Sequence, residues 1–426
     1  MWIPLPQASG GRWQETGLWG AKASFMPPHA LRHRDFRLIW MGNTLSMVGT
    51  QMRIVAITWQ LYHLTHSALS LGFVGLTRFI PLALLVLPAG LVADRVDRRK
   101  VLLVTQTVMM LASVALYALT VMGWVTPMHI YALLSISAAA ATFDLPARQA
   151  IIPSLVPREA LTQALSLNIT GFNVAAVAGP SLGGLILAQG GPATVYALDA
   201  VSFVAMLAAV IVMQHRHVPE PRSADASVMT EALEGLRFVW GNRLILSSML
   251  LDFVAMFFGA ATTLLPIFAD AIVHVDARGL GLLYAAPAVG SVAMGLVTSS
   301  RTDMGRQGTV LLVSVVVYGL ATAAFGLSGN FWLSLVLLAV TGAADTVSAL
   351  IRNTIRQLNT PDALRGRMTA VNSLFFIGGP QLGEVEAGFA AQMMGVAPSV
   401  VFGGLACAVC VCAVAWRVPE LRRYDR

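Results

Sequence analysis

The sequence predicts an all-α membrane protein in which twelve transmembrane helices form two pseudo-symmetric six-helix bundles. Of its 426 residues, 56% are hydrophobic and only 12% are charged, a balance far more apolar than that of a soluble protein of this length. The apolar residues fall into runs of about 20, the length that crosses roughly 30 Å of hydrocarbon as a helix. The longest polar connection, residues 214–243, follows the sixth run and divides the chain into six and six.

The twelve runs are separated by charged or turn-forming residues. Their predicted limits are 38–61, 69–92, 101–122, 128–143, 165–188, 194–213, 244–268, 280–299, 310–327, 331–351, 368–394 and 399–416. We therefore expect a disordered cytoplasmic segment over 1–35, bundles over 36–213 and 244–416, a cytoplasmic linker over 214–243 and a cytoplasmic tail over 417–426. A short internal repeat supports the division, because Arg148, Pro157 and Asn168 recur 204 residues later as Arg352, Pro361 and Asn372.

The positive charges lie on one side of the predicted spans. If the N-terminus is cytoplasmic, every inner connection carries arginine, whereas the outer connections carry only Arg278. Lys and Arg are retained on the cytoplasmic side of membranes, so we expect a multi-pass protein of the bacterial inner membrane with both termini in the cytoplasm. The formal net charge of +7 then reflects topology and not a nucleic-acid partner. The expected partners are the lipid bilayer, a small-molecule substrate and protons, and the chain is expected to act as a monomer.

The connection between the second and third spans carries the motif GLVADRVDRRK. A glycine is followed four residues later by an Asp-Arg pair and then by a cluster of basic residues. This spacing resembles the signature loop of the major facilitator superfamily, whose members hold substrate between two six-helix halves. The matching residues are Gly90, Asp94, Arg95, Arg98 and Arg99.

This loop is expected to form a cytoplasmic gate. Gly90 would let the second span approach a neighbour closely, and Asp94 would face a helix N-terminus, where N–H groups and the helix dipole stabilise an anion. The resemblance implies that this helix is the eleventh span, starting near residues 366–368, and that Arg98 pairs with Asp144 at the inner end of the fourth span. The alternative is that the basic residues only fix the topology.

The fifth span contains the sequence AGPSLGG. Proline removes a backbone hydrogen bond and bends a helix, and glycines permit close helix packing. The element resembles the Gly-Pro-x-x-Gly-Gly motif of drug:proton antiporters, which implies export; the alternative is an ordinary kinked packing site. Its residues are Gly179, Pro180, Gly183 and Gly184.

Two longer stretches narrow the branch of the superfamily. They are FDLPARQAIIPSLVPREAL after the fourth span and IRNTIRQLNTPDALRGRMTAVNSLFFIGGPQLGEVEAG through the eleventh. Both are similar to the bacterial drug and siderophore exporter branch, which includes macrolide efflux proteins and the enterobactin exporter. The resemblance extends over nearly all of residues 36–417, and it implies efflux of the multidrug-resistance or siderophore-export type.

Ionisable residues inside predicted spans are candidates for coupling, because each costs several kcal/mol unless it has a role or a partner. Asp252 lies nine residues beyond Arg243, roughly 13 Å deep at 1.5 Å per residue, and Asp345 is similarly deep. Asp252 is the preferred proton carrier, with a structural hydrogen bond as the alternative. The runners-up, Glu384 and Glu386, lie in the outer half, at the level of Arg53 and Arg78.

Because the second and eleventh spans pack across the two halves in this superfamily, Arg78 is expected to form an outer gate with Glu384 or Glu386. Polar side chains on the helices around the predicted cavity would suit a bulky amphipathic substrate. These cavity candidates are Arg53, Asn43, Gln51, Gln60, Asn168 and Asn173.

The predicted function is export of a small amphipathic molecule by proton antiport and alternating access. The alternatives are a facilitator-type importer and a non-transporting receptor of the same fold. The sequence offers no Ser/His/Asp set, metal-ligand cluster or phosphate-binding loop, so we expect neither an enzyme nor a metal or organic cofactor. The energy source is expected to be the proton gradient.

Overall fold

The computed structural model describes residues 29–214, 228–299, 305–361 and 364–424; within these ranges, the side chains of residues 87, 94, 228–233, 235, 365–367, 370, 373, 374 and 377 lie outside the description. In the described ranges, every regular element is helical. The long helices are α1 (Arg34–Thr65), α2 (Ala68–Arg95), α3 (Arg98–Val121), α4 (Pro127–Ile151), α5 (Arg158–Val212), α7 (Arg243–Phe258), α9 (Ala277–Ser299), α10 (Gln307–Leu327), α11 (Phe331–Leu358), α12 (Arg365–Met394) and α13 (Val396–Arg417).

Shorter helices connect or extend these elements. They are the 3₁₀ helices His29–Arg32, Ile152–Leu155 and Ala261–Leu264, the π-helix Phe268–Ile272, and the short α-helices α6 (Val228–Gly241), α8 (Leu265–Ile267) and α14 (Pro419–Arg422).

The helix starts are set by short polar side chains at the connections. Ser67 accepts a hydrogen bond from the Ser70 N–H at the start of α2, and Thr126 accepts one from the His129 N–H at the start of α4. Asn242 accepts bonds from the first turn of α7. Such caps satisfy N–H groups that a helix leaves without an intrahelical partner, so they fix where each span begins.

The fifth and sixth predicted spans form the two arms of α5, residues 158–190 and 192–212. The backbone breaks only at Gly191, where φ is 70°, a conformation that glycine adopts without the steric cost of a Cβ. Pro192 follows and cannot donate the next helical hydrogen bond. Two antiparallel spans are therefore joined with almost no loop.

Nine helical stretches of the described chain are long and apolar enough to cross a membrane, by length and composition. One of them is α5, which contains two spans, and another joins α7 to Ile272. With α1 and α12, which have 32 and 30 residues, the helix order fits twelve spans. The predicted all-α membrane fold is confirmed.

The helices alternate in direction and so define two ends of the molecule. The arginine-rich end carries Arg34, Arg98, Arg158, Arg243 and Arg417, and the opposite end carries the connections after α1, α3, α7, α10 and α12. At the opposite end, the largest hydrophobic core cluster combines both halves: Leu61 and Leu187 pack in the same cluster as Leu264, Leu280 and Ala387. At the arginine-rich end, the core clusters are separate for each half. The halves are therefore joined at the opposite end.

The helices α5 and α9 separate toward the arginine-rich end. At the opposite end, a Cβ on Gly281 of α9 would lie 2.9 Å from the Cα of Gly184 on α5. Toward the arginine-rich end, Ile169 of α5 is 62% exposed about four turns from Gly184, and Val292 of α9 is 37% exposed about three turns from Gly281. The close packing of α5 and α9 is therefore confined to the opposite end.

The prediction of disorder at the N-terminus needs correction. Residues 29–35, assigned to a disordered segment, are ordered: Ala30 is buried and its N–H donates to Gln163 Oε1 at 2.8 Å. Residues 1–28 lie outside the described chain. The predicted linker contains the helix α6, and the predicted tail contains α14, whose Leu421 is buried in the C-terminal core.

The fourth and tenth spans are also longer than predicted. They were expected to end at Phe143 and Ile351, where the first charged residues follow, but α4 continues to Ile151 and α11 to Leu358. Arg148, Arg352 and Arg356, assigned to inner connections, therefore lie within helices, where carboxylates neutralise them.

Candidate functional site

A buried ionic cluster occupies the centre of the C-terminal half. Arg352 Nη2 on α11 lies 2.8 Å from Asp252 Oδ1 on α7 and 3.2 Å from Asp345 Oδ1 on its own helix. Arg356 Nη1 lies 3.9 Å from Asp252 Oδ2. Residues 345, 352 and 356 follow helical spacing and share the face of α11 that looks at α7. Two positive and two negative charges balance, which makes their burial tolerable.

The members of this cluster differ in access. Arg352 and Asp252 are each 2% exposed at the side chain, whereas the Asp345 side chain is 31% exposed. Asp252, the preferred proton carrier from sequence, is held between two arginines. Asp345 is the carboxylate that an incoming group can reach.

The N-terminal half has a related cluster. Arg148 on α4 contacts Asp144 one turn earlier and the side chain of Asn43 on α1. Asp144 Oδ1 also accepts hydrogen bonds from Thr105 Oγ1 at 2.9 Å and Gln106 Nε2 at 2.8 Å. Each half thus places an arginine of its fourth helix against its first.

The correspondence extends to the register of the first helices. Asn43 stands nine residues after Arg34, the first residue of α1, and Asp252 stands nine residues after Arg243, the first residue of α7. The same place therefore carries a neutral amide in one half and a carboxylate in the other.

A second ion pair, Arg53 with Asp199, lies inside the N-terminal half. Arg53 Nε is 3.3 Å from Asp199 Oδ2, and the side chains are 6% and 0% exposed. Ser113 bridges them, since Arg53 Nη1 donates to its hydroxyl at 3.0 Å and that hydroxyl donates to Asp199 Oδ2 at 2.5 Å. Arg53 was predicted to line the cavity; its buried partner shows instead that it holds α1 to the second arm of α5.

Sequence reasoning missed Asp199. The residue lies in a span that is otherwise apolar, and its partner is on a helix that is distant in sequence. The available signal was the unpaired Arg53 itself, because an arginine inside a span requires an acidic partner at similar depth.

The other cavity candidates divide into two groups. Asn43 and Gln60 are buried within the N-terminal half, where Gln60 bonds Thr120 and Tyr196. Asn168 contacts Asn43 at 3.4 Å. These interior hydrogen bonds correct the prediction for Asn43 and Gln60. Gln51 and Asn173 remain half-buried.

The predicted outer pair is present, with Glu384 as the partner. Arg78 Nη1 of α2 lies 3.2 Å from Glu384 Oε1 of α12, and the side chains are partly exposed. Next to this ion pair, a Cβ on Gly388 of α12 would lie 2.6 Å from the Cα of Gly72 on α2. The halves therefore meet here through close helix packing and an inter-half ion pair. Glu386 points elsewhere, toward a small cavity beside Phe258.

Two further contacts close the opposite end. Tyr62 of α1 donates its hydroxyl to Asp270 Oδ2 at 3.2 Å, and Tyr284 of α9 donates to Thr58 Oγ1 at 3.1 Å. Both bonds connect the N-terminal half to the C-terminal half. These contacts consist of two tyrosine hydroxyls and an ion pair. When the two halves separate, water can hydrate every one of these polar groups, so opening leaves no unsolvated charge.

The glycines of the fifth-span element pack as their sequence suggested. A Cβ on Gly183 would lie 2.9 Å from the Cα of Met52 on α1, and one on Gly184 would lie 2.7 Å from the Cα of Gly281 on α9. Gly179 faces Gln51, and the carbonyl oxygen of Pro180 faces Gly281. The element therefore packs α5 against its own half and against the other half.

The signature loop differs from expectation. Arg98 donates to the backbone carbonyl of Ala150 at 2.8 Å, while Asp144 is occupied by Arg148; the expected Arg98–Asp144 pair is wrong for this conformation. A Cβ on Gly90 would meet no atom within 4 Å, so Gly90 makes no close approach here. The separation of the halves at this end accounts for that.

The remaining loop residues stay near the surface. Arg99 Nη2 donates to the Ile211 carbonyl at 2.6 Å, and Arg95 is exposed. The contact predicted for Asp94 lies outside the described side chains. Its gating role remains a prediction.

The aromatic residues of α7 and α12 add a half-buried apolar surface. Phe253 and Phe257 stack with ring centroids 5.4 Å apart, and Phe375 meets Phe253 edge-on at 6.2 Å. These separations lie in the favourable range for aromatic pairs. The surface lies on the helices that carry Asp252 and Glu384.

Comparison with known proteins agrees with this architecture. Residues 23–426 match the family described as transmembrane secretion effector. The chain is 28% identical over 397 residues to the enterobactin exporter EntS of Citrobacter koseri, covering 92% of this chain and 94% of that protein. The EntS proteins of Shigella boydii and Escherichia coli match to the same extent.

Solved structures show the same fold. A bacterial homologue of the human lysosomal transporter Spinster, inward-facing and unoccupied, superposes with a TM-score of 0.75 at 14% identity, covering 93% of this chain and 99% of that one. The nucleoside transporter NupG gives a TM-score of 0.68 at 16% identity, covering 92% and 99%. The resemblance predicted from the signature loop is confirmed: the chain belongs to the transmembrane secretion effector family and is a multi-pass membrane transporter of the major facilitator type, not an enzyme.

Proposed function

We propose that this chain exports a small amphipathic molecule, drug-like or siderophore-like, across the bacterial inner membrane by proton antiport and alternating access. The observation that carries the proposal is the unequal closure of the two ends. One hydrophobic core, the Arg78–Glu384 pair and the glycine contacts join the halves at the opposite end, while Ile169 and Val292 are exposed toward the arginine-rich end.

The uneven distribution of arginine supports an assignment of the open end to one side of the membrane. Arginine-rich connections remain cytoplasmic, so in this proposal both termini lie inside the cell and the open end faces the cytoplasm. A transporter in that state is ready to take its cargo from inside. The fifth-span element and the exporters among the relatives support outward movement of the cargo.

The chemistry of the surface supports an amphipathic cargo with aromatic groups. Phe253, Phe257 and Phe375 offer flat apolar faces, and Asp345 supplies a charge on a neighbouring helix. Aromatic stacking and a few placed polar groups are the usual way in which a pocket binds a small molecule.

Coupling to protons is proposed at Asp345. Asp252 and Asp345 share Arg352, and only Asp345 is substantially reachable. A proton on the Asp345 carboxylate removes its attraction for the guanidinium, so Arg352 then binds Asp252 alone. Cargo that reaches Asp345 competes with Arg352 and with the proton for this carboxylate, which links cargo binding to the loss or gain of that proton.

Efflux in vesicles tests the proposal. The chain, purified and reconstituted into liposomes, is expected to move a fluorescent amphipathic dye and a catecholate siderophore faster under an imposed pH gradient than after a protonophore is added. Asp345→Asn should keep downhill movement but lose the response to the gradient. Asp276→Asn, which changes an exposed carboxylate 3.9 Å from Arg278, is the matched control. Movement that ignores the gradient in the wild type would refute antiport.

A further inference from the structure

A small cavity lies beside Glu386, where the seventh span is broken. The helix α7 ends at Phe258, and the chain continues through the 3₁₀ turn Ala261–Leu264. Thr322 of α10 and Ser399 of α13 complete the lining. The cavity has a volume of about 10 Å³. This is close to the smallest volume that holds one water molecule.

The side-chain atoms around this cavity are acceptors. Thr322 Oγ1 donates its hydrogen to the Tyr318 carbonyl at 2.9 Å, and Ser399 Oγ donates to the Val396 carbonyl at 2.8 Å. Both hydroxyl groups can therefore act only as hydrogen-bond acceptors or cation ligands toward the cavity. No hydrogen bond or ion pair reaches the Glu386 carboxylate from the part of the chain that the structure describes.

The helix break brings irregular backbone to the cavity, since Phe258, Ala260 and Ala261 line it. The Gly259 N–H still bonds the Ala255 carbonyl, but the next bonds are local, from Ala261 N–H to the Gly259 carbonyl at 2.7 Å and from Thr263 N–H to the Ala260 carbonyl at 3.2 Å. A helix end leaves the last carbonyl groups without intrahelical donors. Unwound carbonyl groups at broken helices bind coupling cations in membrane transporters.

The surrounding charges leave this carboxylate uncompensated. Glu384 stands two residues away on the other face of α12 and pairs with Arg78. Among the other titratable groups on the packed helices, Tyr318 of α10 donates to the Gly259 carbonyl at 3.2 Å, and Cys407 of α13 is buried two turns beyond Val400. A half-buried carboxylate with neutral acceptors beside it offers a site for a positive ligand.

We propose that this cavity binds a sodium ion. One carboxylate and several neutral oxygens balance a single positive charge, whereas calcium or magnesium sites take more carboxylates or retain water. The inference rests on the proposed alternating access, because Ala261, Ala387 and Val400 at this site belong to the core that closes the opposite end. A bound ion therefore stabilises that closed state.

Thermal unfolding of the purified full chain tests the site. Apparent melting temperature is measured at fixed pH and ionic strength while sodium chloride replaces choline chloride, and again across a range of pH. We expect saturable stabilisation by sodium in the wild type and none in Glu386→Gln. Thr322→Val and Ser399→Ala, which each remove one neutral oxygen without changing charge, should each raise the sodium concentration at half-effect about tenfold. Asp276→Asn should respond like the wild type.

An equal sodium response in wild type and Glu386→Gln would overturn the proposal. Stabilisation that follows pH and ignores sodium would also overturn it, and would assign a proton to Glu386. The melting measurement needs no cargo. Sodium binding can therefore be absent in a protein that shows efflux, and efflux can be absent in a protein that binds sodium. If Glu386→Gln does not fold, the two hydroxyl variants decide the outcome.

Discussion

The most deeply buried charges in the two bundles are paired with an opposite charge. Arg53 with Asp199 and Arg352 with Asp252 are almost fully buried, and removing one member of such a pair leaves an isolated charge in a medium that cannot solvate it. The net contribution of a buried ion pair to the free energy of unfolding is far smaller than the destabilisation caused by removing one partner. Single and double substitutions are therefore expected to differ sharply.

We predict that Asp199→Leu lowers the free energy of unfolding by roughly 3–5 kcal/mol, because it strands Arg53. The double variant Arg53→Met with Asp199→Leu should recover most of this loss. Thermal denaturation in detergent, followed by tryptophan fluorescence, measures the difference. Equal destabilisation by the single and double variants would contradict the assigned pairing.

The inter-half pair Arg78–Glu384 leads to a prediction on transport. Arg78→Glu and Glu384→Arg each place two like charges where the chain has an ion pair of 3.2 Å, so each should abolish efflux by preventing closure of the opposite end. The double reversal restores the attraction and should restore efflux. Surface expression of all three variants is the control, and failure of the double reversal would refute the pair as a gate.

Residue identities could be predicted from the sequence better than their partners. Depth and helix neighbours predict the Arg78–Glu384 contact, whereas they do not identify the buried partner of Asp252. Its partner Arg352 had been assigned to a connection, since charge was treated as the end of a span. A charge that is neutralised inside a bundle no longer marks the membrane boundary, and sequence alone does not reveal that neutralisation.

Among the elements, α5 and α9 meet through small residues. The closeness of Gly184 and Gly281 leaves no room for a side chain, which is how membrane helices without a hydrophobic driving force gain packing energy. This contact decides how tightly the opposite end closes.

We predict that Gly281→Ala shifts the protein toward a state open at the opposite end, because the added Cβ would lie 2.9 Å from the Cα of Gly184. Gly295→Ala on the same helix is the matched control, since a Cβ there would meet no atom within 4 Å. Accessibility of a cysteine introduced at Thr58 to a membrane-impermeant maleimide, measured in a variant without native cysteines, reports the shift. Equal labelling in both alanine variants would argue against the contact.

The order of the helices could be predicted from the apolar runs, but the residues at which the helices end could not. The helices α4 and α11 extend past Phe143 and Ile351 because Asp144, Arg148, Arg352 and Arg356 satisfy one another or reach neighbouring helices. The merged arms of α5 were separated correctly by sequence, since glycine and proline at 191 and 192 interrupt the apolar run.

At the scale of the whole molecule, the fold was predicted and the conformation was not. Composition, span count and arginine bias determine the family of architectures, whereas the choice of which end is open depends on the balance between inter-half contacts. That balance involves small differences among many contacts, which no single motif encodes.

We predict that the arginine-rich end closes during transport. Spin labels on cysteines at 169 and 292, in the variant without native cysteines, should be far apart in the resting protein and move closer when cargo and a pH gradient are supplied. A label pair at 169 and 45, within the N-terminal half, should keep its distance. A constant 169–292 distance under turnover would contradict alternating access.

The nearly loop-free joint at Gly191 has a mechanical consequence for this motion. Both arms of α5 are fastened to α1, the first by the Gly183–Met52 packing and the second by the Arg53–Asp199 pair. Because the two arms cannot separate without breaking one of these contacts, we expect the N-terminal half to move as one rigid body in the proposed transport cycle. A pivot at the Gly184–Gly281 contact would then convert a rotation of a few degrees into a displacement of several ångströms at the arginine-rich end.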